Sequence, residues 1–180
     1  MHPPLRQRSL DVLLRAYQWR VRRQRNLTPT RALQVTRQLL RTQRYGFLVT
    51  TGTDAPNARL IEHVAEEDLT VWIGAHPSSR KAREVQAHPR ATFALMDDRT
   101  QANIVLHGTV TRVHDDARRQ RYWRPHHRLF FSGPLGADFA LLRFTPDRLE
   151  LMSFGRFIVP EPFGLKPVVL VRHGDDWQPA

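Results

Sequence analysis

From Phe47 to the C-terminus the chain is written in short runs of strand-forming residues broken by turn residues, which commits most of it to antiparallel β structure. Phe47-Leu48-Val49-Thr50-Thr51 is followed by the turn Gly52-Thr53-Asp54-Ala55-Pro56. Ala58 to Val64 alternates as the next strand, Glu66-Glu67-Asp68 turns, and Leu69-Thr70-Val71-Trp72-Ile73-Gly74 follows. Further strands are read at Ala91 to Met96, Asn103 to Val113, Phe139 to Phe144, Arg148 to Ser153 and Val168 to Arg172, with Trp177 beyond a final turn. Gly108, inside the longest of these runs, marks a bulge or bend. Thr28-Pro29 starts a helix that runs to about Arg44, with Leu33, Thr36, Leu39 and Leu40 toward the core. Shorter helices are read at 80–87 and from Asp115 to about Trp123, while 124–138 reads as a loop. The sum is a mainly β protein with flanking helices, whose six or seven antiparallel strands suit a closed or nearly closed barrel.

Charge is distributed unevenly over the 180 residues. The formal net charge is +11, yet residues 1–45 hold eleven Arg against the single acid Asp11. The rest of the chain is nearly neutral, so the reading divides it into a basic arm, 1–27, and a domain, 28–180. In the arm Leu10, Leu13, Leu14, Tyr17 and Val21 would share one helix face, a pattern that suits docking on the body, an anionic surface or nucleic acid. For residues 1–26 a weak anionic-surface or nucleic-acid contact is one expectation. Stacking on bases has few aromatics to draw on there, since Tyr17, Trp19 and Tyr45 are all that 1–45 supplies. With no cysteine, disulfides, thiolate metal sites and cysteine nucleophiles are excluded. No apolar run has the length of a transmembrane segment, and a cytoplasmic location is expected.

The chemistry concentrates at Ser78-Ser79-Arg80-Lys81, between the strand ending at Gly74 and the helix closed by His88-Pro89. Backbone N–H groups at a helix start, two hydroxyls and two cations suit a phosphate monoester. Ser79 also reads as a plain N-cap with solvated cations beside it.

The order of these segments resembles the flavin-binding split-barrel family that includes pyridoxamine 5′-phosphate oxidase and the general-stress-type flavoproteins. The resemblance covers about residues 30 to 153. It rests on Ala58-Arg59-Leu60-Ile61, Trp72-Ile73-Gly74, Ser78 through His88-Pro89, Val105 to Val110, and Tyr122-Trp123 with Phe130-Phe131-Ser132-Gly133 and Asp138. It implies a homodimer with FMN in the groove between subunits, acting as an oxidoreductase on a small-molecule substrate. It further implies that Arg80 and Lys81, helped by Ser79 and Ser78, hold the FMN phosphate. Arg59 would also reach the phosphate, with the backbone of Leu60 and Ile61 along the ring and Asn103 at the ring's polar edge. A deazaflavin or haem in the same barrel, and a flavin-binding protein without turnover, are the alternatives, because a fold does not dictate its cofactor.

Other residues invite readings of their own. His126-His127 are adjacent and no spaced set of ligands accompanies them in the sequence, so no metal site is expected. Glu62, Glu66, Glu67 and Asp68 read as turn and surface charges, and Trp72 as packing. His63 and His107 lie in strands near the segments assigned to the cofactor. Near the C-terminus, where pyridoxamine phosphate oxidases carry an Arg-x-His-Asp-Arg-like substrate motif, this chain reads Phe154-Gly155-Arg156-Phe157-Ile158-Val159. A substrate phosphate loses most of its charge partners there, although Arg156 is a candidate contact. The purified holoprotein is therefore expected to oxidise pyridoxine 5′-phosphate slowly or not at all. Steady turnover in a coupled oxygen-consumption assay would refute this.

Overall fold

A computed structural model of the chain describes residues 5–23, 28–160 and 165–180. Among them one antiparallel sheet holds nine strands: β1 (Tyr45–Thr51), β2 (Pro56–Glu62), β3 (Val64–Ala65), β4 (Val71–Ala75), β5 (Arg90–Asp97), β6 (Ala102–Val113), β7 (Ala140–Ser153), β8 (Val168–His173) and β9 (Asp176–Pro179). Their spatial order is β2-β1-β5-β6-β7-β4-β3, with β8 also on β7 and β9 on β8. The sheet curls around a core without closing, and it has nine strands rather than six or seven. Two short strands, β3 and β9, add to the expected set, while the runs 139–144 and 148–153 fuse into the single strand β7.

The fusion depends on Gly108. Ladder pairing between β6 and β7 shifts register between His107 and Gly108, where His107 faces Arg148 but Gly108 faces Pro146. Asp147 is thus the extra residue of a bulge, as the glycine in the β6 sequence leads one to expect. A Cβ at Gly108 would lie 2.2 Å from the Thr145 carbonyl oxygen and 2.7 Å from Pro146 Cα, so only glycine allows this approach. Pro146 lacks an N–H to give to the ladder, and the bulge is a position where that is tolerated.

Across the sheet, Leu48, Phe93, Leu106 and Leu149 stand in register on four successive strands, each with no exposed surface. This row is covered by α2 (Pro29–Thr42), whose Ala32, Val35, Thr36, Leu39 and Leu40 are buried at helical spacing. Thr28 caps α2 as its sequence predicts, its hydroxyl accepting from the Arg31 N–H. The next helix, α3 (Arg80–Ala87), buries Ala82 and Val85 and presents Val85 to the same core. Beyond the bulge, α4 (Asp116–Arg121) is capped by Asp115.

Of the N-terminal segment, the described part forms α1 (Leu5–Arg23). Its second half is tied to the body. The Tyr17 hydroxyl donates to the Phe154 carbonyl at 3.0 Å, the Tyr17 ring lies 5.5 Å from that of Phe157, and Arg20 sits over the Phe157 ring. Leu10, Leu13 and Leu14 are exposed, so the apolar face read from the sequence is used at Tyr17 and Val21 and left open at its start.

Replacing Gly108 by Ala forces backbone apart at the bulge. Gly108→Ala is expected to lower stability by about 1–3 kcal/mol, the usual cost of overpacking, read as a lower urea midpoint. An unchanged midpoint would show that β7 does not need this close approach.

Candidate functional site

Ser79 starts α3 as its N-cap, with its hydroxyl accepting from the Ala82 N–H at 3.4 Å. The Ser78 hydroxyl is 2.7 Å from His76 Nδ1, which ties the preceding turn together. Arg80 and Lys81 then occupy the first turn of the helix, beside β1 and β2. Arg59, opposite Leu48 in the β1–β2 ladder, points to the same place. Its Nη1 donates to Thr50 Oγ1 at 2.5 Å and its Nη2 to Glu84 Oε2 at 2.8 Å. Glu84 also accepts from Asn57 Nδ2 at 2.6 Å and from the Thr50 hydroxyl, and Arg80 Nε lies 3.7 Å away. A cavity of about 690 Å³ adjoins this cluster, lined by Thr51, Asp54, Asn57, Arg80, Arg83 and Glu84 among others.

Lys81 stands apart from this network. Burial, and then the positive charge of Arg59, push its ammonium pKa below the usual 10.5. Among the described residues no carboxylate or other acceptor meets it. A half-buried cation beside a second cation is unfavourable unless an anion joins them. Lys81 thus makes the cluster a candidate anion site.

Glu84 was not visible as a site residue in the sequence, although its position four residues after Arg80 is an ion-pair spacing. Burial alone would raise its pKa. Hydrogen bonds from Thr50 and Arg59, the Arg59 charge and the Asn57 bond outweigh this and hold it below 4.5. A carboxylate with a depressed folded-state pKa stabilises the fold above its unfolded value, and that contribution disappears as pH falls through the folded value. Glu84→Gln is therefore expected to cost about 1.5–3 kcal/mol at pH 7, as charge-assisted bonds to Arg59 and Asn57 weaken. The gap to wild type should narrow below about pH 4.5. Denaturation curves at pH 7 and pH 3.5 give the check, and a pH-independent gap would contradict it.

The other residues singled out from sequence are distributed differently. Ile61 is buried in the core, whereas Leu60 points outward and is 58% exposed. Asn103 lies on that same outward face, opposite Met96 on β5 and Met152 on β7. With Met96, Gln101 and Phe154 it lines a cavity of about 510 Å³. Three strand spacings, roughly 14 Å, separate β2 from β6, and Arg59, in register with buried Leu48, lies on the other face of the sheet from Asn103. Tyr45, Phe47, Leu60 and Met96 lie exposed on the Asn103 face, a contiguous apolar patch of the kind that marks an interaction surface.

Arg156 is bound to α2, its Nη1 donating to Gln38 Oε1 at 2.7 Å. Trp72 stacks on Tyr122 with ring centroids 4.2 Å apart, in keeping with its reading as a packing residue. His107 is 3.1 Å from the Thr92 hydroxyl, and His63 is buried with Nε2 on the Leu40 carbonyl. The four acids read as turn and surface charges are more engaged than that. Glu66 accepts from the Tyr122 hydroxyl and Asp68 from Thr70, while Glu62 joins Arg44 and His126. The short helix Pro125–Leu129, read as loop, brings His126 and His127 to Glu62, a convergence that spacing along the chain could not show.

The sequence profile of the pyridoxamine 5′-phosphate oxidase family matches residues 32–153. No curated protein sequence matches the chain. Among solved structures, a protein related to general stress protein 26 from Clostridium acetobutylicum, of the pyridoxinephosphate oxidase family, is similar at TM-score 0.66 and 18% identity. That alignment covers 80% of this chain and 96% of that one. General Stress Protein 26 from Bacillus anthracis is similar at TM-score 0.62 and 17% identity, over 67% of this chain and 92% of that one. A pyridoxamine 5′-phosphate oxidase-related, FMN-binding protein from Nostoc punctiforme is similar at TM-score 0.56 and 20% identity, over 85% and 96% respectively. At these identities the likeness shows a shared split-barrel fold. Since the profile spans the helix α2 and the strands from β1 through β7, this chain belongs to the pyridoxamine 5′-phosphate oxidase family.

Proposed function

We propose that this chain is an FMN-binding oxidoreductase that works as a homodimer on a small-molecule substrate. The observation that carries the reading is Lys81, a half-buried ammonium that Arg59 pushes further from its ordinary pKa and that no anion of the described chain meets. A phosphate dianion between Lys81, Arg59 and Arg80 would relieve both penalties, since charge-assisted bonds exceed neutral ones. The N-terminal N–H groups of α3 and the Ser78 and Ser79 hydroxyls would add donors. Glu84, by holding Arg59 and Asn57 in place, keeps the guanidinium from swinging into solvent.

FMN, once bound, supplies hydride or single-electron transfer, and the protein supplies its orientation. The backbone of Leu60 and Ile61 would lie along the ring, and Asn103, on the outward face of the sheet, carries an amide that can donate or accept at the ring's polar edge. The outward apolar face with Tyr45, Phe47, Leu60 and Met96 supports pairing with a second copy, which would cover the ring from water. The FMN-binding relative from Nostoc punctiforme agrees with this cofactor. Pyridoxine 5′-phosphate is disfavoured as the substrate, because Arg156 is engaged by Gln38 and no second arginine stands beside it in the sequence.

The purified protein is expected to carry or take up about one FMN per chain, identified by its absorbance and the mass of the released chromophore. An Arg80→Ala, Lys81→Ala double variant should bind FMN roughly 100-fold more weakly, the loss of two charge-assisted bonds. Equal FMN affinity in the double variant would displace the phosphate from this cluster. A protein that takes up no FMN would overturn the flavin reading in favour of a deazaflavin or haem. Reduction of the bound flavin by NADH or NADPH, followed by reoxidation by an acceptor, separates an enzyme from a flavin-binding protein.

A further inference from the structure

At the opposite end of β2 from the basic cluster, three ligand-type side chains converge that take no part in the site described above. One nitrogen of His126, one of His127 and one carboxylate oxygen of Glu62 lie within 4.8 Å of one another. Glu62 comes from the end of β2, and the two histidines from the short helix Pro125–Leu129. We propose that Glu62, His126 and His127 bind a single divalent first-row transition-metal ion, with zinc as the representative, through its N₂O donor set.

The geometry is close to what such an ion requires. Bonds of about 2.0–2.2 Å to imidazole nitrogen and carboxylate oxygen put tetrahedral ligands roughly 3.4 Å apart. The His126 Nε2 to Glu62 Oε2 separation of 2.5 Å has to open by about 1 Å, which small side-chain rotations provide. On binding, the ion takes His126 Nε2 and Glu62 Oε2, and the proton they share moves to Nδ1 of the same ring or to water. Two imidazoles and a carboxylate suit zinc, nickel, copper and iron better than the oxygen-seeking magnesium and calcium.

A supporting shell is also present. Arg44 Nε donates to Glu62 Oε1 at 3.0 Å, leaving Oε2 as the ligand atom and fixing the carboxylate plane. Partners of this kind orient metal ligands in known sites. Trp123 and Phe139 flank the His127 ring, and the bond that its Nδ1 accepts from the Arg124 N–H at 3.2 Å must be given up for a lone pair of this ring to reach the ion. A cavity of about 460 Å³ opens on the cluster, lined by Arg44, Glu62, His63, Arg124 and His126 among others, and it provides entry and room for further ligands. Two of the cations near the site are neutralised locally, Arg44 by Glu62 and Arg41 by Glu67 at 2.7 Å. The three protein ligands and the open cavity describe a site that would keep exchangeable positions for water or a small anion.

The full-length protein, freed of metal by chelation, should bind one equivalent of Zn²⁺ per chain in calorimetric titration. Co²⁺ should give visible d–d absorption from a site of low symmetry. His126→Asn and Glu62→Gln, made singly, should each weaken Zn²⁺ binding by more than roughly 100-fold, since even supporting residues are worth 10–100-fold. These two positions are half-exposed, so the variants are expected to fold. His127→Ala leaves a gap among aromatic rings and serves only if its unfolding temperature is unchanged. Absence of stoichiometric Zn²⁺ binding, or affinity unmoved in both His126→Asn and Glu62→Gln, would overturn the proposal. Neither result depends on whether FMN binds.

Discussion

The close approach of Gly108 to Thr145 and Pro146 sets the course of the whole sheet. By absorbing Asp147 as an extra residue, the bulge lets β7 run unbroken for 14 residues beside β6. The two halves of β7 then serve different neighbours. Residues 140–144 pair with β4, and residues 148–151 pair with β8. A strand that bends at its middle and changes partners is what splits the barrel, because bulges increase local twist and curl. Asp147, pushed out of the ladder, is taken up by an ion pair with Arg90 on β5.

From this division follows the placement of both sites. β4 leads directly into the turn at Ser78 and the start of α3, so the half of the sheet that pairs with β7 before the bulge delivers the basic residues. β1 and β2, at the other edge of the sheet, supply Thr50, Asn57 and Arg59 to the same cluster. The end of β2, one turn of sheet beyond, presents Glu62 to the histidines that follow α4. Arg59 and Glu62 are three residues apart and lie on opposite faces of a strand. They therefore serve two different clusters, as the period of two along a strand dictates.

Electrostatics distinguishes the clusters further. Around α3 there are three cations, Arg59, Arg80 and Lys81, and one central carboxylate, Glu84, a net positive cluster that the proposed phosphate would complement. At Glu62 the donor atoms are imidazole nitrogens and a carboxylate oxygen that already pairs with Arg44 and His126, and the proposed metal would join this donor set.

Local sequence determined much of this protein by itself. Alternation located nearly all the strands, Thr28 and Ser79 announced their helices by capping chemistry, and an interior glycine announced the bulge. The Ser78-Ser79-Arg80-Lys81 run marked a candidate phosphate site, because hydroxyls and cations at a helix start are a local pattern. Tertiary structure alone decided that two apparent strands are one, since Pro146 reads as an end until Gly108 is seen to receive it. It alone brought Glu84 under Arg59, 25 residues away in sequence. It alone gathered Glu62 with His126, 64 residues on, and with its neighbour His127. Caps, turns and alternation act between near neighbours and are written in order along the chain. Charge pairing and ligand convergence act through space, and only the folded sheet specifies which distant residues share a place.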